Sequence, residues 1–146
     1  MKEITNFVMF IFLLGSVQAV SKKPNIIYVV SDDLGYGDLG CYGQKVVKTP
    51  RLDQMASEGL LFTDHYAGHT VCRPSRLVFL TGKHTGHTAI AGNNMHVLPK
   101  GSVTVTSLLK QAGYVTGCAG KWALGDVGTS GHPNKQGFDF FYGYLD

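Results

Sequence analysis

The run Asn25–Ser31, Asn-Ile-Ile-Tyr-Val-Val-Ser, is apolar and β-branched with no alternation of polar residues. That pattern predicts a strand buried on both faces, and such strands belong to parallel sheets covered by helices. The run stops at a Gly-rich polar loop, Asp-Asp-Leu-Gly-Tyr-Gly-Asp-Leu-Gly-Cys-Tyr-Gly, from Asp32 to Gly43. Beyond it the pattern alternates. Residues 49–59 predict a helix: Thr49 caps it, Pro50 fits its first position, Leu52, Met55 and Ala56 share a face, and Gly59 stops it. Residues 60–67 predict a second strand, with Leu60, Phe62 and His65 near its ends. Pro74 suits the start of another helix that packs through Leu77, Val78 and Leu80. Val105, Leu108, Leu109 and Ala112 recur at helical spacing before Gly113, and residues 114–122 return as a strand. This β-α-β-α order predicts an α/β fold with a largely parallel sheet flanked by helices.

The chain has 146 residues, 44% of them hydrophobic and 16% charged, which suits one globular domain rather than a disordered segment. Its net charge of +3 comes from scattered lysines and arginines, so the basic stripe of a nucleic-acid-binding protein is absent. Residues 1–19 read as a signal peptide: Lys2 gives a positive start, Phe7–Leu14 an apolar centre, and Val17 and Ala19 the small residues before a cut. That stretch is short for a membrane span, so no stable membrane anchor is expected. The mature part, residues 20–146, is expected in an exported compartment: periplasmic or secreted, lysosomal in a eukaryote. Cys41, Cys72 and Cys118 make an odd number of thiols, too few for a disulfide scaffold.

In parallel sheets, functional groups gather beyond the carboxyl ends of the strands. Three polar clusters fall there in this reading: Asp32–Asp33, Cys72–Arg76 and Lys121. Adjacent carboxylates repel unless a cation compensates them, and hard oxygens suit Ca²⁺ or, less well, Mg²⁺. The pair also fits a turn in which one Asp accepts from backbone amides. Cys72 stands where a helix start would favour an anion, and Arg76, one turn on, can add a planar donor fork. A buried cysteine with a solvated arginine is the alternative. His65, His69, His84 and His87 match no zinc-ligand spacing, and Gly-Tyr-Gly-Asp-Leu-Gly is no dinucleotide fingerprint.

Cys72-Arg-Pro-Ser-Arg76 resembles the C-x-P-S-R signature of the type I sulfatases. The likeness extends along most of the mature chain. Pro24–Gly43 is similar to that family's opening strand and metal loop, and Thr49–Ala67 to the segment after it. Leu-Thr-Gly at 80–82, Gly-Lys-Trp at 120–122 and Gly-Phe-Asp at 137–139 resemble further family motifs in the right order. The resemblance implies an alkaline-phosphatase-like fold and a sulfuric ester hydrolase of arylsulfatase type. It also implies that a separate formylglycine-generating enzyme oxidises Cys72 to formylglycine, whose hydrate attacks sulfur and later releases sulfate. By position it implies Asp32, Asp33 and the oxygen derived from Cys72 as Ca²⁺ ligands. Arg76 and Lys121 are then catalytic groups beside that nucleophile. Aryl or carbohydrate sulfates are the implied substrates.

Two departures bear on activity. The family often carries His two residues after the lysine, where this chain has Ala123. Family members are also much longer, with further metal ligands in later segments, so residues 20–146 are expected to be the amino-terminal portion of a catalytic domain. A truncated, non-catalytic sulfatase-like chain and a related phosphoester hydrolase are the alternative readings. Cys41 and Cys118 are expected to be free thiols.

Overall fold

The computed structural model describes residues 23–88, 92–93 and 97–146. The expected leader, residues 1–19, lies outside them. By contacts the chain divides into two units, one ending at Ser31 and one running from Asp32 to Asp146.

In the first unit, residues 25–31 are exposed and in no strand, with Ile27 89% and Val29 87% accessible. The expected strand is therefore not formed. Residues 60–67, also expected as a strand, are likewise without strand structure, and Leu60 and Tyr66 are exposed. An apolar pattern records what a segment can bury, but a strand exists only when a neighbouring segment completes its ladder of N–H and C=O groups. Among the described residues the sheet has two strands.

Those two are β1 (Gly117–Lys121) and β2 (Phe140–Tyr144), paired in parallel with Gly117 opposite Phe140 and Lys121 opposite Tyr144. The ladder runs on past the strand ends, where the Trp122 and Ala123 amides donate to Tyr144 O and Leu145 O at 3.0 and 2.8 Å. Gly143, at φ 154°, lies so close to Gly120 that a β-carbon there would collide with its backbone. The parallel pairing agrees with the α/β expectation.

Among the described residues three α-helices accompany the pair. The first, α1 (Pro50–Glu58), starts at proline as expected, yet Thr49 does not cap it through its side chain. Instead Thr49 Oγ1 accepts from Gly40 N at 2.8 Å and donates to Asp53 Oδ1 at 3.0 Å, and Cys41 N donates to the same Asp53 oxygen at 2.7 Å. The helix thereby ties down the turn Gly40–Tyr42. Its expected apolar face is not buried: Leu52 and Met55 are exposed.

The second helix, α2 (Cys72–Thr81), begins two residues before Pro74, which occupies its third position. Proline is harmless there because that N–H has no intrahelical partner to lose. Gly82, at φ 63°, closes the helix with its amide on Val78 O. The third, α3 (Val105–Gln111), is capped by Thr104, whose hydroxyl accepts from Ser107 N while Ser107 Oγ accepts from Thr104 N. Thr104 and Thr106 both reach Gln136 O from buried positions, so α3 is anchored by hydroxyls. Its expected apolar residues Val105 and Leu108 remain exposed.

The core is small and lies between α2 and the end of β1. Leu77 and Leu80 of α2 pack with Leu98, Trp122 and Leu124, and Phe138, Phe141 and Leu145 pack against this group. Each such leucine contributes about 1.5–3 kcal/mol on burial. The Trp122 indole satisfies its one polar atom by donating to Gly131 O at 2.7 Å. Because Trp122 directly follows Lys121, anchoring the indole fixes where β1 ends.

Candidate active site

Cys72 is the first residue of α2, Arg76 lies one turn further along it, and Lys121 is the last residue of β1. Asp32 opens the Gly-rich loop. These four residues come together. Lys121 Nζ is 3.5 Å from Cys72 Sγ and 3.3 Å from Asp32 Oδ2. Arg76 Nη2 donates to Asp32 Oδ1 at 3.0 Å, and its Nη1 donates to the Lys121 carbonyl at 2.7 Å. One guanidinium thus joins the helix, the strand end and the loop. The planar donor fork meets the two acceptors with two different nitrogens.

The electrostatics follow from the contacts. The hydrogen bond from Arg76 holds the Asp32 carboxyl below the ordinary carboxylate range; burial opposes this and Lys121 adds to it. The hydrogen bond to Asp32 holds Lys121 above the ordinary ammonium value, against a burial effect, with Cys72 as a further support. Two cations against one carboxylate leave a net positive charge beside Cys72, which favours an anion there.

Asp33 is exposed and has φ 58°, in the left-handed region that Asp tolerates better than most residues. It makes no side-chain contact to Cys72, Arg76 or Lys121 of the kind Asp32 makes. Among the described residues no three His, Cys, Asp or Glu side chains group as a metal cluster. Asp32 and Asp33 nevertheless offer hard oxygens of the type calcium takes, and the two bonds to Asp32 leave lone pairs on its carboxylate. The donor chemistry therefore fits, as part of a six- to eight-oxygen shell. The Cys72 thiol itself is a soft donor, unsuited to that ion.

Ala123, at the place of the family's frequent histidine, has φ 63° and is buried between Trp122 and Leu124. His84 and His69 serve local turns. His84 Nδ1 accepts from Gly86 N and His69 Nδ1 from Val71 N, at 3.1 and 3.2 Å. Asp38 likewise closes a turn, accepting from Gly35 N at 2.7 Å. The loop after Asp33 lines an open cleft of about 580 Å³ together with Phe62, His65 and Tyr66.

Sequence reasoning missed two residues here. Arg73 is buried, and its Nη2 donates to Asp146 Oδ1 at 3.0 Å. Asn93 places its side chain against Cys72 and the start of α2. The signal for Arg73 was present, since an arginine at the second position of a helix next to a candidate nucleophile is worth noting. Asn93 lies 21 residues from Cys72, and nothing local in the sequence links them.

All three cysteines are free. Burial pushes the Cys118 thiol above its ordinary value, with a smaller opposing effect from Arg76.

Comparison with known proteins matches this arrangement to one family. The sequence model named Sulfatase matches residues 24–146. Human arylsulfatase A is 45% identical over 137 residues, covering 89% of this chain and 27% of that protein. The N-acetylgalactosamine-6-O-sulfatase of Bacteroides thetaiotaomicron is 45% identical over 136 residues, covering 86% and 27%. The crystal structure of Ps i-CgsB superposes with a TM-score of 0.79 at 40% identity, over 85% of this chain and 28% of that one. The same protein has been crystallised in complex with k-i-k-neocarrahexaose. The chain spans about a quarter of the length of these relatives. Together with the parallel strand pair and the Cys72–Arg76 motif, these matches show that the chain belongs to the sulfatase family and carries part of its alkaline-phosphatase-like fold.

Proposed function

We propose that this chain carries the nucleophile side of a sulfuric ester hydrolase active in an exported compartment, with Cys72 as precursor of the nucleophile. The observation that supports this most directly is the 3.5 Å approach of Lys121 Nζ to Cys72 Sγ, with Lys121 and Arg76 both tied to Asp32.

In the proposed maturation, a formylglycine-generating enzyme acts on Cys72. Its Cβ loses sulfur as hydrogen sulfide and gains a carbonyl oxygen, a two-electron oxidation with dioxygen as oxidant; a thiol reductant supplies the other two electrons that, with two protons, take dioxygen on to water. The hydrated aldehyde supplies one hydroxyl that attacks sulfur and displaces the ester's alcohol, and a second whose deprotonation re-forms the carbonyl and expels sulfate by C–O cleavage. Lys121 would stand beside the oxygen that replaces Sγ and bind a sulfate oxygen, compensating the negative charge that develops there. Arg76 keeps Lys121 in place through its main-chain carbonyl and orients Asp32. Asp32 and Asp33 would hold Ca²⁺, which supplies Lewis-acid polarisation of the sulfate ester. Substrates by this reading are aryl or carbohydrate sulfates. The relatives named for an arylsulfatase and for an N-acetylgalactosamine sulfatase support that range.

The test is turnover. The gene product made together with a formylglycine-generating enzyme, supplied with Ca²⁺, is expected to release inorganic sulfate from an aryl sulfate over many cycles, and Cys72→Ala is expected to abolish it. A preparation that hydrolyses aryl phosphates but not aryl sulfates would overturn the reading.

A further inference from the structure

We infer that Asn93 is a catalytic residue of the proposed hydrolase, its side-chain amide donating to the same atom on Cys72 Cβ that Lys121 approaches. The inference rests on the reading of Cys72 as nucleophile precursor.

The argument begins with the start of α2. Val71 occupies the cap position, where its side chain can accept nothing, and Pro74 has no N–H. The Ser75 amide is already on Val71 O at 3.2 Å. The Arg73 amide is thus a donor that needs an acceptor from outside the helix. Asn93 Oδ1 provides it at 3.3 Å, a capping contact made from 20 residues downstream. An amide N–H only donates, so the atom of Asn93 facing it must be oxygen; this settles which way the side chain is turned. The other end, Nδ2, then lies 3.8 Å from Cys72 Sγ, slightly nearer than Oδ1, which the thiol itself meets at 4.0 Å.

The backbone of Asn93 is fixed as well. Arg73 Nη1 donates to Asn93 O at 3.4 Å, and the same guanidinium, largely buried, holds Asp146. Arg73 therefore grips Asn93 twice, by its main-chain amide and by its side chain. Two donors, Asn93 Nδ2 and Lys121 Nζ, approach the one atom at which chemistry is proposed. Oxygen in place of sulfur is a stronger acceptor, and a neutral donor next to a cationic one stabilises developing charge without repelling an anionic substrate.

A purely structural Asn93 would need only its acceptor. Asn93→Asp separates the two roles, because the carboxylate still accepts from the Arg73 amide but cannot donate to Cys72. Two measurements follow. In protein made without the maturation enzyme, Cys72 is alkylated by neutral iodoacetamide and by anionic iodoacetate. Asn93→Asp should lower the iodoacetate-to-iodoacetamide rate ratio by about tenfold, because a new charge faces the thiol. Rates with iodoacetamide that stay near those of the unmodified sequence show that the helix start remains folded. In matured protein of equal aldehyde content, Asn93→Asp should lower kcat by about a hundredfold, with partial recovery on acidification as the carboxyl regains a proton to donate. An unchanged alkylation ratio overturns the placement of Asn93 against Cys72. A changed ratio with unchanged kcat overturns its catalytic role. If the protein with Asn93 intact is itself inactive towards sulfate esters, the hydrolase reading fails and the catalytic role with it, while the alkylation ratio still decides the placement.

Discussion

Arg76 and Asp32 meet at 3.0 Å, across 44 residues of sequence, and the same guanidinium holds the carbonyl of Lys121. This contact joins the start of the Gly-rich loop to the end of β1 through α2. A lysine does not reproduce it, because its single nitrogen lacks the two separate ends with which the guanidinium meets Asp32 and the Lys121 carbonyl. Arg76→Lys, compared with the unmodified sequence in matured protein of equal aldehyde content, is expected to lower kcat by about a hundredfold or more. Its stability should fall by only about 1–2 kcal/mol, since Asp32 is partly exposed and screened. Steady-state kinetics beside urea titration check this. Full activity in Arg76→Lys would show that the link is dispensable.

Asp33 gives a different kind of variant. Its φ of 58° is costly for a residue with a β-carbon and free for glycine. Asp33→Gly is therefore expected to leave the folded state as stable as before or up to about 1 kcal/mol more stable. If Asp33 binds calcium as proposed, the same change should weaken Ca²⁺ affinity by at least tenfold. Calorimetric titration with Ca²⁺ and thermal melts in chelator separate the two effects. A marked loss of stability in chelator would mean that the Asp33 side chain has a structural task.

Acid sensitivity should trace in part to Asp139. Its carboxylate accepts from Lys110 at 2.6 Å and from the Thr116 amide at 2.9 Å, joining α3 to the entrance of β1. Lys110 first, then Thr116, holds the carboxyl below its ordinary 3.8. A group lowered on folding contributes stability above its unfolded pKa and loses it as the pH falls through the folded one. The stability difference between the unmodified protein and Asp139→Asn should be constant above about pH 5 and shrink below pH 4. Urea midpoints across pH 2.5–6 read it directly, and a difference independent of pH would contradict it.

Cys118 provides a check on burial. Its thiol is pushed above the ordinary 9.0, so its alkylation should accelerate with pH beyond the range where a free thiol has levelled off. Peptide mapping without reductant should recover Cys41 and Cys118 separately. A bridged pair would contradict the free thiols of the structure.

Local rules made much of this legible in advance. Pro50, Gly59 and Gly113 mark helix ends by their own covalent geometry, and those helix ends stand where these residues put them. Asp32, Cys72, Arg76 and Lys121 could be expected together from a parallel topology, and the structure does bring them together, although of the four Lys121 alone stands at the end of a formed strand. The strands expected at 25–31 and 60–67 failed because pairing is not a property of a segment alone. Asn93 could not be foreseen either. It meets Cys72 and Arg73 at an uncapped helix start 20 residues earlier in the chain, and no local pattern links the two.

The central claim, that Cys72 is the precursor of the nucleophile, is tested most directly by one mass. Trypsin cuts after Arg51 and Arg76, and Pro74 suppresses cleavage after Arg73, so Cys72 falls in the peptide 52–76. From a host with the maturation enzyme, that peptide should be about 18 Da lighter than its thiol form, the exchange of sulfur and two hydrogens for one oxygen, and should react with an aminooxy probe. A peptide of unaltered mass whose Cys72 is alkylated in full would contradict the account.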